Sequence, residues 1–257
     1  MELIRSIVKV GNSAGVILPK EWLNGKAKVE LIAKPLNIKK EIFEILEEYL
    51  PEIEGMYIVG SYARNDETKK SDVDILAIST KTNKKITSGK YNIILISKDN
   101  LEQALQSNIF PLLPMIKEAS PLLNKRLLEE YSNKELTSKN LRWHIETTKS
   151  ILNVSKEKIK IDKERGKTDD SVSYSLILRL REVYILDCLI NSRMWSNSGL
   201  LGLIKKVSGS TNAYDGYLRV KNNTAQKKQL PIEEAENILD YIHSKIIEQE
   251  KWLQKRK

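Results

Sequence analysis

Residues 55–78 read GMYIVGSYARNDETKKSDVDILAI and contain the pattern that decides the fold. An apolar run ends at Gly60, a polar stretch follows, and a second apolar run begins around Asp72 and Asp74. Side chains alternate along a strand, so both carboxylates are predicted to project from one face while Val73 faces the other way. Mg²⁺ and Mn²⁺ prefer carboxylate and phosphate oxygens. The stretch therefore predicts a site in which Asp72 and Asp74 hold Mg²⁺ or Mn²⁺.

Gly60 and Ser61 stand between the first apolar run and a predicted helix. Glycine allows a ligand to approach the backbone closely, and the amides at a helix start favour anions. The Ser61 hydroxyl can donate to a phosphate oxygen, and the nearby Arg64 can offset phosphate charge. We therefore expect Gly60, Ser61 and Arg64 to bind the triphosphate of a nucleotide.

The spacing of these residues, Gly60-Ser61, ten residues, then Asp72-Val73-Asp74, resembles the signature of polymerase-beta-superfamily (minimal) nucleotidyltransferases. The resemblance covers residues 38–100. It implies an NTP substrate such as ATP, a divalent metal, and transfer of a nucleoside monophosphate to an acceptor hydroxyl with release of pyrophosphate. RNA, protein and small molecules all remain open as acceptors.

Members of this family usually supply a third carboxylate from a later strand, and here the matching position, within KYNIILI of residues 90–96, is Asn92. An amide can ligate a metal but is a poor base. With Asn92 in this place, either the metal supplies most of the activation of the acceptor hydroxyl, or the enzyme is slow, or the domain binds nucleotide without turnover. Glu102 is an alternative source of the third carboxylate.

The flanking sequence predicts an α+β fold with a small mixed-sheet nucleotidyltransferase domain. A helix ends at Pro51, because proline cannot continue a helical hydrogen-bond ladder. Strands are predicted at residues 55–60, 72–79 and 91–97, with polar loops between them. Strand patterns stop near residue 99.

The rest of the chain is predicted to be helical. Apolar residues recur at helical spacing over residues 141–159, 172–190 and 235–253. We therefore expect three parts: an N-terminal β hairpin domain, the nucleotidyltransferase domain, and a C-terminal helical domain that completes the cleft and selects the acceptor. Their predicted limits are residues 1–35, 36–118 and 119–257.

Residues 8–23, VKVGNSAGVILPKEWL, resemble the swapped hairpin of AbrB/MazE-type DNA-binding domains. In that family two chains interlace, so the resemblance implies a homodimer. Arg5, Lys9 and Lys20 are then candidates for DNA contacts, as basic side chains on strands that enter a groove. The alternative is a hairpin that serves only for dimerisation.

The charge of the chain also favours a polyanionic partner. The net charge is +9, and Lys and Arg exceed Asp and Glu by 8 to 3 in residues 1–40 and by 26 to 18 in residues 120–257. In residues 41–119 the acidic residues lead by 13 to 9. Basic flanks around an acidic middle fit nucleic-acid binding around a metal site, through DNA or an RNA acceptor, although solvated lysine-rich helices give the same counts.

The composition of the chain bears on its location and on the kinds of metal site that it can form. Apolar runs are too short to span a bilayer and no signal peptide is recognisable, so we expect a cytoplasmic protein without a membrane partner. A single cysteine and two histidines exclude an ordinary structural zinc site. The main alternative function is a DNA-binding regulator whose transferase domain senses nucleotide. An antitoxin-like protein that nucleotidylates a partner is a further alternative.

Overall fold

The computed structural model describes residues 3–30, 37–69, 71–225 and 227–255. It divides the chain into two compact units, residues 1–42 and 43–257. The second unit contains the predicted helical domain and the predicted nucleotidyltransferase domain apart from residues 36–42. The predicted limits at residues 35 and 118 stay predictions.

The first unit contains an antiparallel hairpin of β1 (Ile7–Val10) and β2 (Ser13–Val16), followed by a short 3-10 helix at Lys20–Trp22. Gly11 adopts φ +59° at the turn, a conformation that glycine reaches without steric cost. No residue of the described stretch 3–30 is buried. The hairpin therefore exposes the apolar side chains that its strand pattern carries.

The second unit is built on a five-stranded mixed sheet. Its strands in chain order are β3 (Ile53–Val59), β4 (Val73–Ser79), β5 (Lys84–Ser88), β6 (Tyr91–Ser97) and β7 (Ser120–Leu123). The spatial order is β5-β6-β4-β3-β7, with β4 and β6 parallel and the other neighbours antiparallel. The α+β fold with a mixed sheet is confirmed.

Two sheet strands contradict the sequence expectation. Residues 84–88, KKITS, were expected to be a polar loop, and residues 120–123, SPLL, lie beyond the point where strands were predicted to stop. Both are edge strands, where one side meets solvent and proline is tolerated. Neither needs the apolar pattern that identifies a central strand.

Ten α-helices accompany the sheets in the described residues. They are α1 (Ile38–Ile45), α2 (Gly60–Arg64), α3 (Lys98–Ser107), α4 (Leu112–Glu118), α5 (Lys125–Ser132), α6 (Ser138–Asp162), α7 (Asp170–Ile190), α8 (Asn197–Ser208), α9 (Asn212–Lys221) and α10 (Ile232–Gln254). The predicted helices over residues 141–159, 172–190 and 235–253 correspond to α6, α7 and α10. Two short strands, β8 (Lys167–Asp169) and β9 (Lys228–Pro231), pair with each other and were not predicted.

One hydrophobic core runs from the sheet into the helical part. Val59 and Leu76 of the sheet belong to the same buried cluster as Leu176 and Leu180 of α7 and Ile238 of α10. One face of the sheet is therefore covered by helices that follow it in the chain. In the part of the chain that the structure describes, no helix is long and apolar enough to cross a membrane.

Candidate active site

The two aspartates of the motif lie at the start of the central strand β4. The strand begins at Val73, so Asp72 directly precedes it and is exposed, whereas Asp74 is half-buried. Val73 and Ile75 are fully buried on the other side, as alternation requires. The two carboxylates are close enough for the charge of Asp72 to act on Asp74.

The surroundings of Asp74 favour its protonated form. Burial is the largest cause of its raised pKa, and the negative charges of Asp72 and Glu118 raise that pKa further. A hydrogen bond from Asn92 and the positive charge of Lys221 oppose the shift. The negative charges of Asp72 and Glu118 thus add to the effect of burial on Asp74.

Gly60 brings the other half of the motif against Asp74. Val59, the last residue of β3, pairs with Asp74, and Gly60 follows at the start of α2 with φ +71°. A Cβ atom on Gly60 would lie 2.6 Å from Asp74 Oδ2. Ser61 comes next and is half-buried. Only glycine allows this approach between the turn and the carboxylate.

Asn92 lies beside Asp74 on the parallel strand β6, because the strand register pairs the two residues directly. Its amide donates to Asp74, and its Oδ1 accepts from Thr87 Oγ1 at 3.4 Å. Among the described residues, no group of three or more His, Cys, Asp and Glu side chains is arranged to hold a metal ion. The alternative Glu102 instead accepts a hydrogen bond from the Tyr131 hydroxyl at 3.1 Å.

Arg64 is engaged by two carboxylates. Its Nη1 donates to Glu118 Oε2 at 2.6 Å, while its Nε and Nη2 each donate to Asp66 at 3.2 Å. Only 7% of the side chain is exposed. A direct contact between Arg64 and phosphate stays a prediction. In the structure the guanidinium binds the carboxylates of Glu118 and Asp66.

Glu118, at the end of α4, was missed by the sequence analysis. Besides Arg64, it accepts the Gly60 N–H at 2.7 Å on Oε1 and the Trp195 indole N–H at 2.8 Å on Oε2. Trp195 lies between α7 and α8, far along the chain, and no local spacing links it to Glu118. Lys221 was missed for the same reason.

The other candidate residues lie away from this constellation in the chain. Arg5, Lys9 and Lys20 are exposed in the first unit, Lys9 on β1 itself. In the helical part, Tyr217 is buried and its ring stacks on that of Tyr214 at 5.7 Å.

Comparison with known proteins agrees with the geometry. The model of the family "Nucleotidyltransferase domain" matches residues 39–178, more than half of the chain, and extends past the predicted limit at residue 118. No curated protein matches the chain.

Two solved structures resemble the chain at a distance. A nucleotidyltransferase-like protein from Exiguobacterium sibiricum aligns with a TM-score of 0.39 and 13% identity, over 83% of this chain and 76% of its own. Spectinomycin adenyltransferase AAD(9) from Enterococcus faecialis, solved with ATP and spectinomycin, aligns with a TM-score of 0.41 and 14% identity, over 80% of this chain and 97% of its own. These scores are too low to support an argument, so the assignment rests on the family match. The chain belongs to the nucleotidyltransferase domain family and is an enzyme of that type, which moves a nucleoside monophosphate from a nucleoside triphosphate.

Proposed function

We propose that the protein transfers a nucleoside monophosphate from an NTP to an acceptor hydroxyl on RNA, protein or a small molecule, with Mg²⁺ or Mn²⁺ held by Asp72 and Asp74. The observation that carries the proposal is the approach of Gly60 to Asp74, with 2.6 Å between Asp74 Oδ2 and the place of a Cβ. A triphosphate on the Gly60-Ser61 turn would lie next to the carboxylates.

The donor set at Asp72 and Asp74 suits a divalent cation. Both ligands are hard carboxylate oxygens, and the raised pKa of Asp74, caused first by burial and then by neighbouring negative charge, reflects an environment that a cation would relieve. When bound, the metal would polarise the reacting phosphate and stabilise the departing pyrophosphate.

The chain's own residues then bind and orient the substrate. The Ser61 hydroxyl can donate to a phosphate oxygen, and the glycine turn leaves room for the phosphate chain. The acceptor oxygen forms a bond to the α-phosphorus while the bond from that phosphorus to the β-bridging oxygen breaks, and pyrophosphate leaves. Asn92 cannot take the hydroxyl proton, so the proton passes to water.

A labelling experiment tests this proposal. Each α-labelled NTP is incubated with the protein and Mg²⁺ or Mn²⁺, in the presence of total cellular RNA or soluble protein. A third incubation contains the small-molecule fraction of a cell extract. We expect label in one of these three fractions, and none with Asp72→Asn or Asp74→Asn. Label that is independent of both aspartates would refute the assignment.

Asn92→Asp gives a further prediction about the third position. A third carboxylate beside Asp74 adds repulsion without metal, so we expect the variant to melt at a lower temperature than the wild type in EDTA and to gain more stability from Mg²⁺. General-base help is worth about 10²–10⁴-fold, so kcat should rise by at least about tenfold. Melting curves and initial rates check both effects. Unchanged melting in EDTA and an unchanged rate would show that Asn92 is not at the third position.

A second function, DNA binding by a homodimer through the first unit, is favoured by the exposed apolar side chains of the hairpin. Val10 is 57% exposed, and Ile7 and Ile17 are exposed with it. An isolated two-stranded hairpin is marginally stable in water. We therefore propose that the hairpin of a second copy of the chain packs against these apolar side chains. Arg5, Lys9 and Lys20 would then contact DNA phosphates.

Val10→Glu is expected to shift the full-length protein from dimer to monomer in sedimentation experiments, because a buried unpaired charge opposes association. Val154→Glu, at an apolar position on α6 that is 69% exposed, serves as the matched control. A monomeric wild type, or an equal effect of both variants, would contradict the dimer.

DNA binding is tested separately on the dimer. Replacing Arg5 and Lys9 with alanine should weaken binding and reduce the salt dependence of the affinity, since each phosphate contact releases counterions. Replacing Lys26 and Lys28, which are also exposed in this unit, is the control. Salt-dependent binding to one DNA sequence without any nucleotide transfer would favour the regulator, whereas label on a partner protein would favour the antitoxin-like alternative.

A further inference from the structure

Glu118 links the Gly60-Ser61 turn to the helical part of the protein. The residue is 8% exposed and lies at the end of α4, outside the sequence motif. One of its oxygens accepts from the Gly60 N–H, and the other accepts from both Arg64 and Trp195. A single carboxylate thus contacts both ends of α2 and an indole that precedes α8.

We infer that Glu118 is a positioning residue that holds the Gly60 turn against Asp74. The segment 195–197, to which Glu118 is bonded through Trp195, sets where Glu118 holds the turn. The inference rests on the proposed function, because it concerns the same turn and the same carboxylate. It assigns Arg64 the same role, as the cation that orients both Glu118 and Asp66 through its hydrogen bonds.

A second connection runs parallel to the first. Asp66, two residues after the end of α2, accepts the backbone N–H of Asn197 on Oδ2 at 3.0 Å. The same carboxylate accepts both Nε and Nη2 of Arg64. Glu118 and Asp66 each bind Arg64 on one side and the segment 195–197 on the other. The four groups therefore close a ring of hydrogen bonds around the guanidinium.

Three members of the ring, Arg64, Glu118 and Trp195, are largely shielded from water. Trp195 is 5% exposed, and its N–H bonds to a charged acceptor, which is worth more than a bond between neutral groups. A displaced segment 195–197 must either break these bonds or carry Glu118 with it. Since Glu118 also holds the Gly60 N–H, such a displacement reaches the turn that faces Asp74.

The hydrogen bond from the Gly60 N–H to Glu118 also supports a positioning role. Because Glu118 occupies this donor, the backbone of the turn is held before any phosphate arrives.

Trp195→Phe tests the connection from its far end. The change removes one N–H and keeps an aromatic ring, and Trp143→Phe, at a position that is 50% exposed, is the matched control. We expect amide exchange in residues 58–66 to become about tenfold faster in Trp195→Phe, since one hydrogen bond to a charged group is lost. We expect kcat to fall about tenfold, with the Kd for a non-hydrolysable ATP analogue unchanged within about threefold.

Glu118→Gln tests the centre of the ring. Its single amide oxygen can accept either from Gly60 or from Arg64 and Trp195, and its NH2 group then faces the donors on the other side, so we expect about a hundredfold loss in kcat, measured well below the melting temperature. Asp162→Asn is the control, because Asp162 is also a fully buried carboxylate, bonded to Thr168 at 2.9 Å. It should lower the melting temperature and leave kcat unchanged.

The outcomes separate this inference from the proposed function. If Trp195→Phe matches Trp143→Phe in exchange of residues 58–66, or if exchange changes while kcat does not, the positioning role is refuted. If the wild type transfers no label from any NTP, the proposed function fails, and the exchange of residues 58–66 alone then decides the inference. A loss of kcat in Glu118→Gln that Asp162→Asn reproduces would mean that Glu118 acts only on stability.

Discussion

Asp74→Asn should lower kcat for nucleotide transfer by at least about a thousandfold, while the protein stays folded. Metal stabilisation of transition-state charge is worth several kcal/mol, and each 1.36 kcal/mol is about tenfold in rate. Asp74 lies between the Gly60 turn and Asn92, and we expect its carboxylate to hold a cation beside the phosphates. The measurement is single-turnover transfer from the NTP found in the labelling experiment.

Stability distinguishes loss of chemistry from loss of fold. The asparagine has nearly the same shape, and it removes a charge that burial and the charge of Asp72 both disfavour. Asp74→Asn should therefore melt no lower than the wild type in EDTA. Asp99→Asn, an exposed aspartate in the first turn of α3, is the control for the loss of one carboxylate. A transfer rate for Asp74→Asn within tenfold of the wild type would refute the metal assignment.

Gly60→Ala should cost about a hundredfold or more in kcat and also reduce stability. The residue has φ +71°, which costs an alanine about 1–2 kcal/mol, and its Cβ would lie 2.6 Å from Asp74 Oδ2. Either the turn or the carboxylate must move, and a shift of about 1 Å is enough for a hundredfold loss in rate. Denaturant unfolding and single-turnover kinetics measure the two effects.

Gly89→Ala isolates the contribution of the contact with Asp74. Gly89 also has a positive φ, +57°, but nothing lies within 4 Å of its Cβ position. The Gly89→Ala variant should lose only the stability that a positive φ costs an alanine, and it should keep full activity. Equal loss of kcat in both glycine variants would show that the closeness of Gly60 to Asp74 has no part in catalysis.

The motif could be found from sequence because its parts are local. Alternation along one strand places Asp74 opposite the buried Val73 and Ile75, and the glycine turn directly follows an apolar strand. The expectation that Asn92 faces the site also follows from alternation, and the register of β4 with β6 agrees with it. The roles of Asp72, Asp74 and Asn92 in chemistry stay predictions.

The ring around Arg64 could not be found in this way. The hydrogen bond from Gly60 to Glu118 spans 58 residues, and that from Trp195 to Glu118 spans 77. No periodicity in the chain connects such positions. A conspicuous arginine in a phosphate-binding motif was therefore expected to face substrate, whereas the packing of α4 and of the segment before α8 brings two carboxylates to it.

The edge strands of the sheet could not be predicted from the sequence either. β5 is polar and β7 contains Pro121, so neither carries the pattern that identifies a strand on its own. They form because a central strand is already in place with unpaired backbone groups. Helices α6, α7 and α10 were easier to predict, since each repeats its apolar spacing over five or more turns.

The hydrophobic core that runs from β3 and β4 into α7 and α10 limits how this enzyme can change over time. A module that is recruited whole must bring its own interior, but here Val59 and Leu76 have their neighbours among the helices. A helical part with a different interior would leave these side chains in water. The helices should therefore change by substitution outside this interior rather than by exchange as a complete domain.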